Sequence, residues 1–320
     1  MTKYEELAQV TAREIAEGEE TPMNALANGN HRVSRRTFLH SSIVGVSALA
    51  LTGCVNGIVT RGDIEVTQTT INLPNLPEKW KGKKITHLTD IHSSPFMSLS
   101  DLKRVVKVTN EINSDVILMT GDFVTSHRNE IGPFVEAMSE LHAPMGVYAS
   151  TGNHDYYTDV DLVSKGMEDI GITMMRNACV KLEHDGAPLY IVGVDDEDDP
   201  TVKEYVKGGH APHIEAAYKG LPEDGASILL CHKPYRFEEY AKTNIGLMLS
   251  GHTHGGQIVF GRLGRTVLSI SSVASGFIEG HYRPEESDSK SQLYVSRGLG
   301  TVGLPLRLNC PPEVAQITLA

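Results

Sequence analysis

The residues in this chain whose types and spacing best suit chemistry stand in one short stretch, Leu249-Ser250-Gly251-His252-Thr253-His254-Gly255-Gly256-Gln257, which ends the apolar run Ile245-Gly246-Leu247-Met248-Leu249. Two histidines two residues apart at a strand end project from the same face. Glycines on both sides let the backbone turn sharply and approach a neighbour closely. Such a pair offers two imidazoles to a metal ion, or it packs as a satisfied structural pair. Whether distant parts of the chain supply further ligands decides between the two.

They do. Four other apolar runs end in groups of ligand type: 85–89 leads to Asp90-Ile91-His92, 116–119 to Thr120-Gly121-Asp122, 147–150 to Thr151-Gly152-Asn153-His154-Asp155, and 228–231 to His232. Singly, each has a bland explanation, because Asp and Asn cap helices and histidines sit satisfied in cores. Five strand ends carrying such groups, three with an adjacent glycine, are hard to attribute to packing. Carboxylate, imidazole and amide oxygen together suit Zn, Mn or Fe rather than a Cys-bound structural site. Two Asp, one Asn and four His exceed the needs of one ion and fit two sharing a bridging carboxylate.

The elements that must position these groups follow a strand–loop–helix rhythm. Helices are expected from Ser98 or Ser100 to about Asn113, over 134–141 and over 160–170, with Leu102, Val105 and Val106 spaced for one apolar face. Further strands are expected over 172–175, 179–182, 189–194, 245–249, 258–260, 293–296 and 314–319. Strands alternating with helices predict α/β layering, with helices covering buried sheets. The C-terminal ends of such strands are where α/β sheets bind ligands. The pattern predicts two sheet-building halves in one domain, a layered sandwich with helices outside.

At 320 residues, 40% hydrophobic and 22% charged, the chain has ample material for a core. A net charge of −11 and a pI near 5.7 exclude the basic footprint that nucleic-acid binding needs. Four scattered cysteines, Cys54, Cys179, Cys231 and Cys310, make neither a disulfide framework nor a Cys-type zinc site. Residues 1–53 differ from the rest. Arg35-Arg36-Thr37-Phe38-Leu39 precedes an uncharged run over 41–53, too short to span a bilayer and suited to a signal peptide. The paired arginines resemble a twin-arginine export signal. Leu51-Thr52-Gly53-Cys54 resembles a lipobox, whose cysteine would carry a lipid anchor. The long acidic stretch before Arg35 is unusual for a signal, and Met23 as the start would remove most of it. Residues 54–80 read as a linker, with strand-like alternation from Ile64 to Leu73, and 81–320 as the domain.

The series Asp90-x-His92, Gly121-Asp122, Gly152-Asn153-His154-Asp155, His232 and Gly251-His252-x-His254 resembles, in order and type, the signature of the calcineurin-like metallophosphoesterases over about residues 84–257. The tail, Tyr294 to Gly300 and then Pro305-x-Arg307, resembles the exported, single-domain bacterial branch. The resemblance implies an α/β fold, a four-layer αββα sandwich of two mixed β-sheets flanked by helices. It implies two divalent ions (Mn, Zn or Fe), one on Asp90, His92 and His254, the other on Asn153, His232 and His252, with Asp122 bridging. His154 would be the general acid, oriented by Asp155. Thr125 stands where relatives often carry a second Asp, which touches local support rather than catalysis. Two cations about 3.5–4 Å apart can hold a hydroxide between them, so a phosphomonoester or phosphodiester would be hydrolysed without a covalent intermediate. The expected partners are a phosphoester of lipid or cell-envelope origin and the twin-arginine translocase. Membrane association through a lipid on Cys54 is expected, in the periplasm or at the outer face of the cytoplasmic membrane.

Other residues rank lower. Asp195 to Asp199 suit a solvated turn, with Asp196 the one to approach the cleft; His127 faces either substrate or solvent; His87 packs in its strand. Arg297 and Arg307 suit a phosphate or an anionic headgroup, or else simply flank a glycine-rich turn. Cys231 alternates away from His232 into the core. Two other functions compete: a lipid-pathway pyrophosphatase acting on an acylated nucleotide-sugar, and a binding scaffold without catalysis. The complete ligand set argues against the scaffold.

Overall fold

Alternation along the strands decides which way each sheet faces. In the computed structural model, which describes residues 63–196, 217–243, 245–264, 266–269, 275–283 and 290–320, two six-stranded sheets pack face to face. Sheet I has the order β1-β14-β2-β3-β4-β5, with β1 Glu65–Ile71, β2 Lys84–Leu88, β3 Val116–Thr120, β4 Val147–Ser150, β5 Thr173–Met174 and β14 Glu313–Leu319. Sheet II has the order β12-β13-β9-β8-β7-β6, with β6 Ala178–His184, β7 Ala187–Gly193, β8 Ser227–Leu230, β9 Leu247–Ser250, β12 Gly280–Tyr282 and β13 Gln292–Val295. Both are mixed: β14 runs antiparallel to β2, β6 to β7 and β12 to β13, while β2, β3 and β4, and β7, β8, β9 and β13, run parallel.

Odd and even residues of one strand serve different cores. Val116 and Leu118 of β3 face sheet II and meet Ile228, Leu230, Leu247 and Leu249, whereas Ile117 and Met119 face the helices. Helices α1 Leu99–Glu111, α2 Ile131–Met138 and α4 Val160–Asp169 cover that outer face through Leu102, Val105, Phe134, Val163 and Met167. Ser98 caps α1, with Asp101 reaching back to its N–H, a reciprocal capping box. On the outer face of sheet II, Phe237 and Tyr240 of the short α5, Phe237–Tyr240, pack on Leu229, Met248 and Leu293. Each fully buried Leu or Ile contributes about 1.5–3 kcal/mol, so the inter-sheet core fixes sheet spacing firmly. The four-layer sandwich is the expected one.

Three expectations change. The linker over 54–80 does not hold for its described part: β1 pairs in parallel with β14 along its whole length, and Trp80 is buried with its indole N–H donating to the Ala187 carbonyl. The ordered domain therefore starts before residue 65. Residues 258–260 do not join a main sheet; β10, Val259–Leu263, pairs only with β11, Thr266–Ser269, as a separate hairpin. A helix, α3 Asn153–Thr158, opens directly at Asn153, where only a strand end was expected. Among the described residues no helix is long and apolar enough to cross a membrane. The export signal, Cys54 and residues 197–199 lie outside the described residues.

Candidate metal centre

The parallel strands of both sheets deliver their C-terminal ends to one edge, and there the backbone leaves the extended conformation. Asp90, His92, Asp122, His252 and His254 all have positive φ (49°, 51°, 54°, 68° and 53°). The left-handed conformation costs a non-glycine residue about 1–2 kcal/mol, so five such residues at one edge mark strain imposed by the surrounding packing. Two glycines make room for it. A Cβ on Gly251 would run into the Asp90 carboxylate and the Thr89 hydroxyl, and one on Gly152 would run into Asp122.

The side chains converge. His92 Nε2 lies 3.2 Å from His254 Nε2, and His254 Nε2 lies 3.4 Å from Asp90 Oδ1. Across from them, His232 Nε2 is 3.0 Å from Asp122 Oδ2, and the same oxygen is 3.6 Å from His92 Nε2. The His252 ring stands edge-on to His232, centroids 5.1 Å apart. Asp90, His92 and His254 form one cluster of ligating atoms within 4.8 Å, Asp122, His232 and His252 a second, and His92, Asp122 and His154 a third. All are buried except His154 and His252, which are half-buried at the cleft. That cleft, of about 360 Å³, is lined by Asp122, His154, His252 and His254 at one end and by Gln257, Ile258, Val302 and Leu304 at the other.

Electrostatics separate the clusters. Burial drives the His92 ring down to about 3, and burial, then His92 and Arg307, drive His254 well below its ordinary range. Burial works against charge on His232 too, but the Asp122 carboxylate outweighs it and pushes that ring up to about 10. Burial raises the Asp122 carboxyl, yet His232 and then His154 and His92 prevail and hold it well below the carboxylate range. Burial also lifts Asp90 to about 6, with His232 opposing and Asp122 adding to the rise.

The donor set fits a divalent metal centre. Two neutral imidazoles aim Nε2 atoms at each other 3.2 Å apart, and the Asn153 Oδ1, buried at the start of α3, has no hydrogen-bond partner. Buried polar atoms are nearly always partnered, and an unpartnered amide oxygen in the residue next to His154 is what a cation would satisfy. The outer partners suit this as well: His232 Nδ1 donates to the Thr120 carbonyl at 2.6 Å, leaving Nε2 to the site.

His154 is held differently from the expectation. Its Nδ1 donates to the Thr125 carbonyl at 2.6 Å, and its own N–H donates to Asp122 Oδ1 at 2.9 Å. Asp155 does not orient it. The Asp155 carboxylate instead accepts from the backbone N–H groups of Asp122, Phe123 and Gly152 at 2.9–3.0 Å, so it shapes the loop that carries Asp122. Because a main-chain carbonyl holds His154, the departure at Thr125 leaves that support intact. Glu130, which sequence reasoning missed, fixes the loop by accepting from the N–H groups of Thr125, Ser126 and His127 at 2.8, 2.8 and 3.1 Å. No capping signature marked it, because His127 stands where the S/T/D-x-x-E motif needs Ser, Thr or Asp; the grip of Glu130 on three backbone N–H groups shows only in the fold.

The lower-ranked residues divide. His87 is packed as expected, its Nε2 2.8 Å from the Thr120 hydroxyl. Cys231 is buried in the outer core. His127 is exposed and does not line the cleft. Arg307 is not a phosphate ligand: it is fully buried and donates to the carbonyls of Gly300, Arg297 and His254, pinning the tail beneath the His254 loop. Arg297 pairs with Glu65 and Glu313, away from the clusters. Asp195 and Asp196 are not solvated either. Both are buried: Asp195 accepts from Arg176 and Thr151, and Asp196 pairs with the buried Lys233 at 3.0 Å.

Two mixed sheets whose parallel strand ends gather imidazoles and carboxylates around a cleft form a candidate divalent-metal centre. A family description for calcineurin-like phosphoesterases matches residues 83–256. The chain is 32% identical over 299 residues to the metallophosphoesterase YkuE of Bacillus subtilis (strain 168), covering 90% of this chain and 98% of that one. It is 31% identical over 301 residues to a Danio rerio transmembrane protein with metallophosphoesterase domain, covering 92% of this chain and 64% of that protein, so it spans less than two thirds of that relative's length. Among solved structures, the NAD nucleotidase NadN of Haemophilus influenzae aligns with a TM-score of 0.46 at 16% identity, over 68% of this chain and 45% of that one. The chain belongs to the calcineurin-like phosphoesterase family.

Proposed function

We propose that the chain is a binuclear metallophosphoesterase acting on phosphomonoesters or phosphodiesters. Asp90, His92 and His254 would hold one divalent ion and Asn153, His232 and His252 the other, with Asp122 serving both; Mn, Zn or Fe suits these donors. The observation that carries the reading is the single oxygen, Asp122 Oδ2, facing His232 at 3.0 Å and His92 at 3.6 Å. When bound, two such ions supply a nucleophile at neutral pH and neutralise phosphoryl charge. The chain's own residues do the rest. With Nδ1 committed to the Thr125 carbonyl, the His154 ring exchanges its proton at Nε2, beside the cleft, and delivers it to the departing oxygen. Asp155 and Glu130 keep the Asp122 and Thr125 loops in register with it.

The test loads the purified chain with Mn or Zn and compares bis(4-nitrophenyl) phosphate with 4-nitrophenyl phosphate. Turnover that chelation abolishes is expected; no turnover of either ester with either metal overturns the reading.

The same proposal takes residues 1–53 as a twin-arginine signal read by the translocase, with Cys54 lipidated and the enzyme at the outer face of the cytoplasmic membrane or in the periplasm. Its support is sequence alone: Arg35-Arg36, the uncharged run over 41–53 and Leu51-Thr52-Gly53-Cys54. Replacing Arg35 and Arg36 together by Lys should block export, and normal export of that variant would sink this part.

A further inference from the structure

The cleft has two unlike ends. One is the cluster of imidazoles and carboxylates. The other is a wall made by Leu304, 52% exposed, the half-buried Val302 and the edge of Ile258, which is itself buried at 6%. A single exposed leucine is ordinary; this one is continuous with two further apolar side chains and with the reacting centre.

The wall is built rather than incidental. Gln257, in the left-handed conformation at φ 52°, spends its whole side-chain amide on the loop that carries Val302 and Leu304. Its Nε2 donates to the carbonyls of Val302 and Leu304 at 3.1 and 3.0 Å, and its Oε1 accepts from the Val302 N–H at 2.8 Å. Ile258 bridges to Leu308 on the far side of the same loop. Thr253, the other uncharged polar side chain of the cleft, is buried and gives its hydroxyl proton to the Ile278 carbonyl at 2.6 Å. Among the described residues lining the cleft there is no lysine or arginine. A sugar or nucleotide substituent would therefore meet no cation and no uncommitted amide on this wall, while a hydrocarbon would meet surface that gains by being covered. Beyond Ile258 the chain runs directly into the β10–β11 hairpin, which exposes Phe260, Leu263 and Leu268.

We infer that the phosphoryl group of the substrate carries an extended hydrocarbon substituent, a lipid-type phosphoester, seated on Ile258, Val302 and Leu304. This rests on the phosphoesterase reading above and names the substrate class for that site.

The test uses the full chain loaded with Mn or Zn and two series of esters, alkyl 4-nitrophenyl phosphates and monoalkyl phosphates, from ethyl to octyl and below micelle formation. In the series that turns over, kcat/KM should rise by up to about fourfold per buried methylene until the chain outruns the wall. Leu304→Ser should cut the octyl-to-ethyl ratio by about fivefold or more, and Leu304→Met should hold it within about twofold, because a thioether of similar volume preserves the apolar surface. Good turnover with no dependence on chain length overturns this inference and leaves the phosphoesterase reading standing. So does an unchanged ratio in Leu304→Ser. A flat series together with self-association that Leu304→Ser abolishes assigns the wall to a second copy of the chain, and the inference falls. No turnover of any ester removes both readings.

Discussion

The two clusters that meet at Asp122 are assembled from the same residue types yet differ in where their protons sit. In the cluster of Asp90, His92 and His254, burial and the neighbouring guanidinium of Arg307 keep the rings neutral, His92 down to about 3. In the cluster of Asp122, His232 and His252, the Asp122 carboxylate overrides burial and keeps His232 charged up to about 10. A cation entering the first finds bare nitrogen lone pairs. One entering the second must displace a proton held 3.0 Å from the carboxylate it would share. Both pairs cross between the sheets, and what differs is the partner: His232, two residues past β8, meets the Asp122 carboxylate, whereas His92 and His254 meet imidazole to imidazole with the Arg307 guanidinium against His254.

The harshest way to break this comparison is to remove what the clusters share. Asp122→Ala takes away the oxygen that faces both His232 and His92, and on the proposed binuclear reading metal analysis should find neither ion retained. The loss in kcat/KM should exceed about 10³, more than the 10²–10³ typical of deleting one transition-state hydrogen-bond donor. A fully loaded, active variant would contradict the shared carboxylate. His154→Ala comes next. His154 stands edge-on to His92, centroids 4.7 Å apart, but makes its hydrogen bonds to Thr125 and Asp122. Metal content should survive while turnover of alkyl esters falls by about 10²–10⁴ and that of nitrophenyl esters much less, since a good leaving group needs no proton. Equal losses for both would remove the acid role.

The protons themselves sharpen the comparison. His232 must be neutral to bind metal, and its pKa near 10 lies above working pH, so affinity at the second cluster should fall about tenfold for each pH unit lost below 10. At the first cluster the rings are already neutral, and Asp90, raised to about 6, is ionised above that value, so affinity there should stay flat from pH 10 down to about 6 and weaken only below it. Calorimetric titration of the metal-free chain at pH 8, in buffers of different ionisation enthalpy, should show no proton released with the tighter ion and about one with the weaker. Equal release at both steps would erase the distinction.

How much of this was legible beforehand depended on how local each signal is. Every residue of the two clusters could be named because each follows an apolar run at a strand's C-terminal end, and that pattern needs only a few neighbouring residues. The cores behave likewise: Val116 and Leu118 against Ile117 and Met119 is a period-two pattern readable in four positions. Non-local partners were hidden. Strand β1 pairs with β14 from the opposite end of the domain, so its half-polar edge pattern read as linker. The burial of Arg307 depends on carbonyls of residues 254, 297 and 300 meeting in space, which spacing alone does not reveal. Asp155 sits beside His154 in sequence, and adjacency suggested a partnership, yet its carboxylate turns back to three N–H groups of the loops on either side.

The smallest expected effect tests that last distinction, between side chains that look important by position and backbone that does the work. Thr125 holds His154 through its carbonyl at 2.6 Å, while its hydroxyl makes only a 3.4 Å contact with the Ser93 carbonyl. Thr125→Ala keeps the carbonyl, and Glu130 still grips the residue 125 N–H at 2.8 Å, so the loop has no reason to move. A hydrogen bond that long contributes at the bottom of the usual range of about 0.5–1.5 kcal/mol. Activity should therefore stay within about twofold, with the pH profile of alkyl ester hydrolysis unmoved. Glu130→Gln supplies the contrast, because one oxygen, Oε2, accepts all three N–H groups, and a neutral amide oxygen in its place accepts more weakly than a carboxylate. It should lower alkyl ester turnover by about tenfold, the cost of weakening hydrogen bonds to a charged group worth 1.5–3 kcal/mol, and spare nitrophenyl esters. If Thr125→Ala proved the worse of the two, the hydroxyl rather than the carbonyl would be what the centre relies on there, and the absence of a second Asp at that position would have to be explained as a substitution of function, not of scaffold.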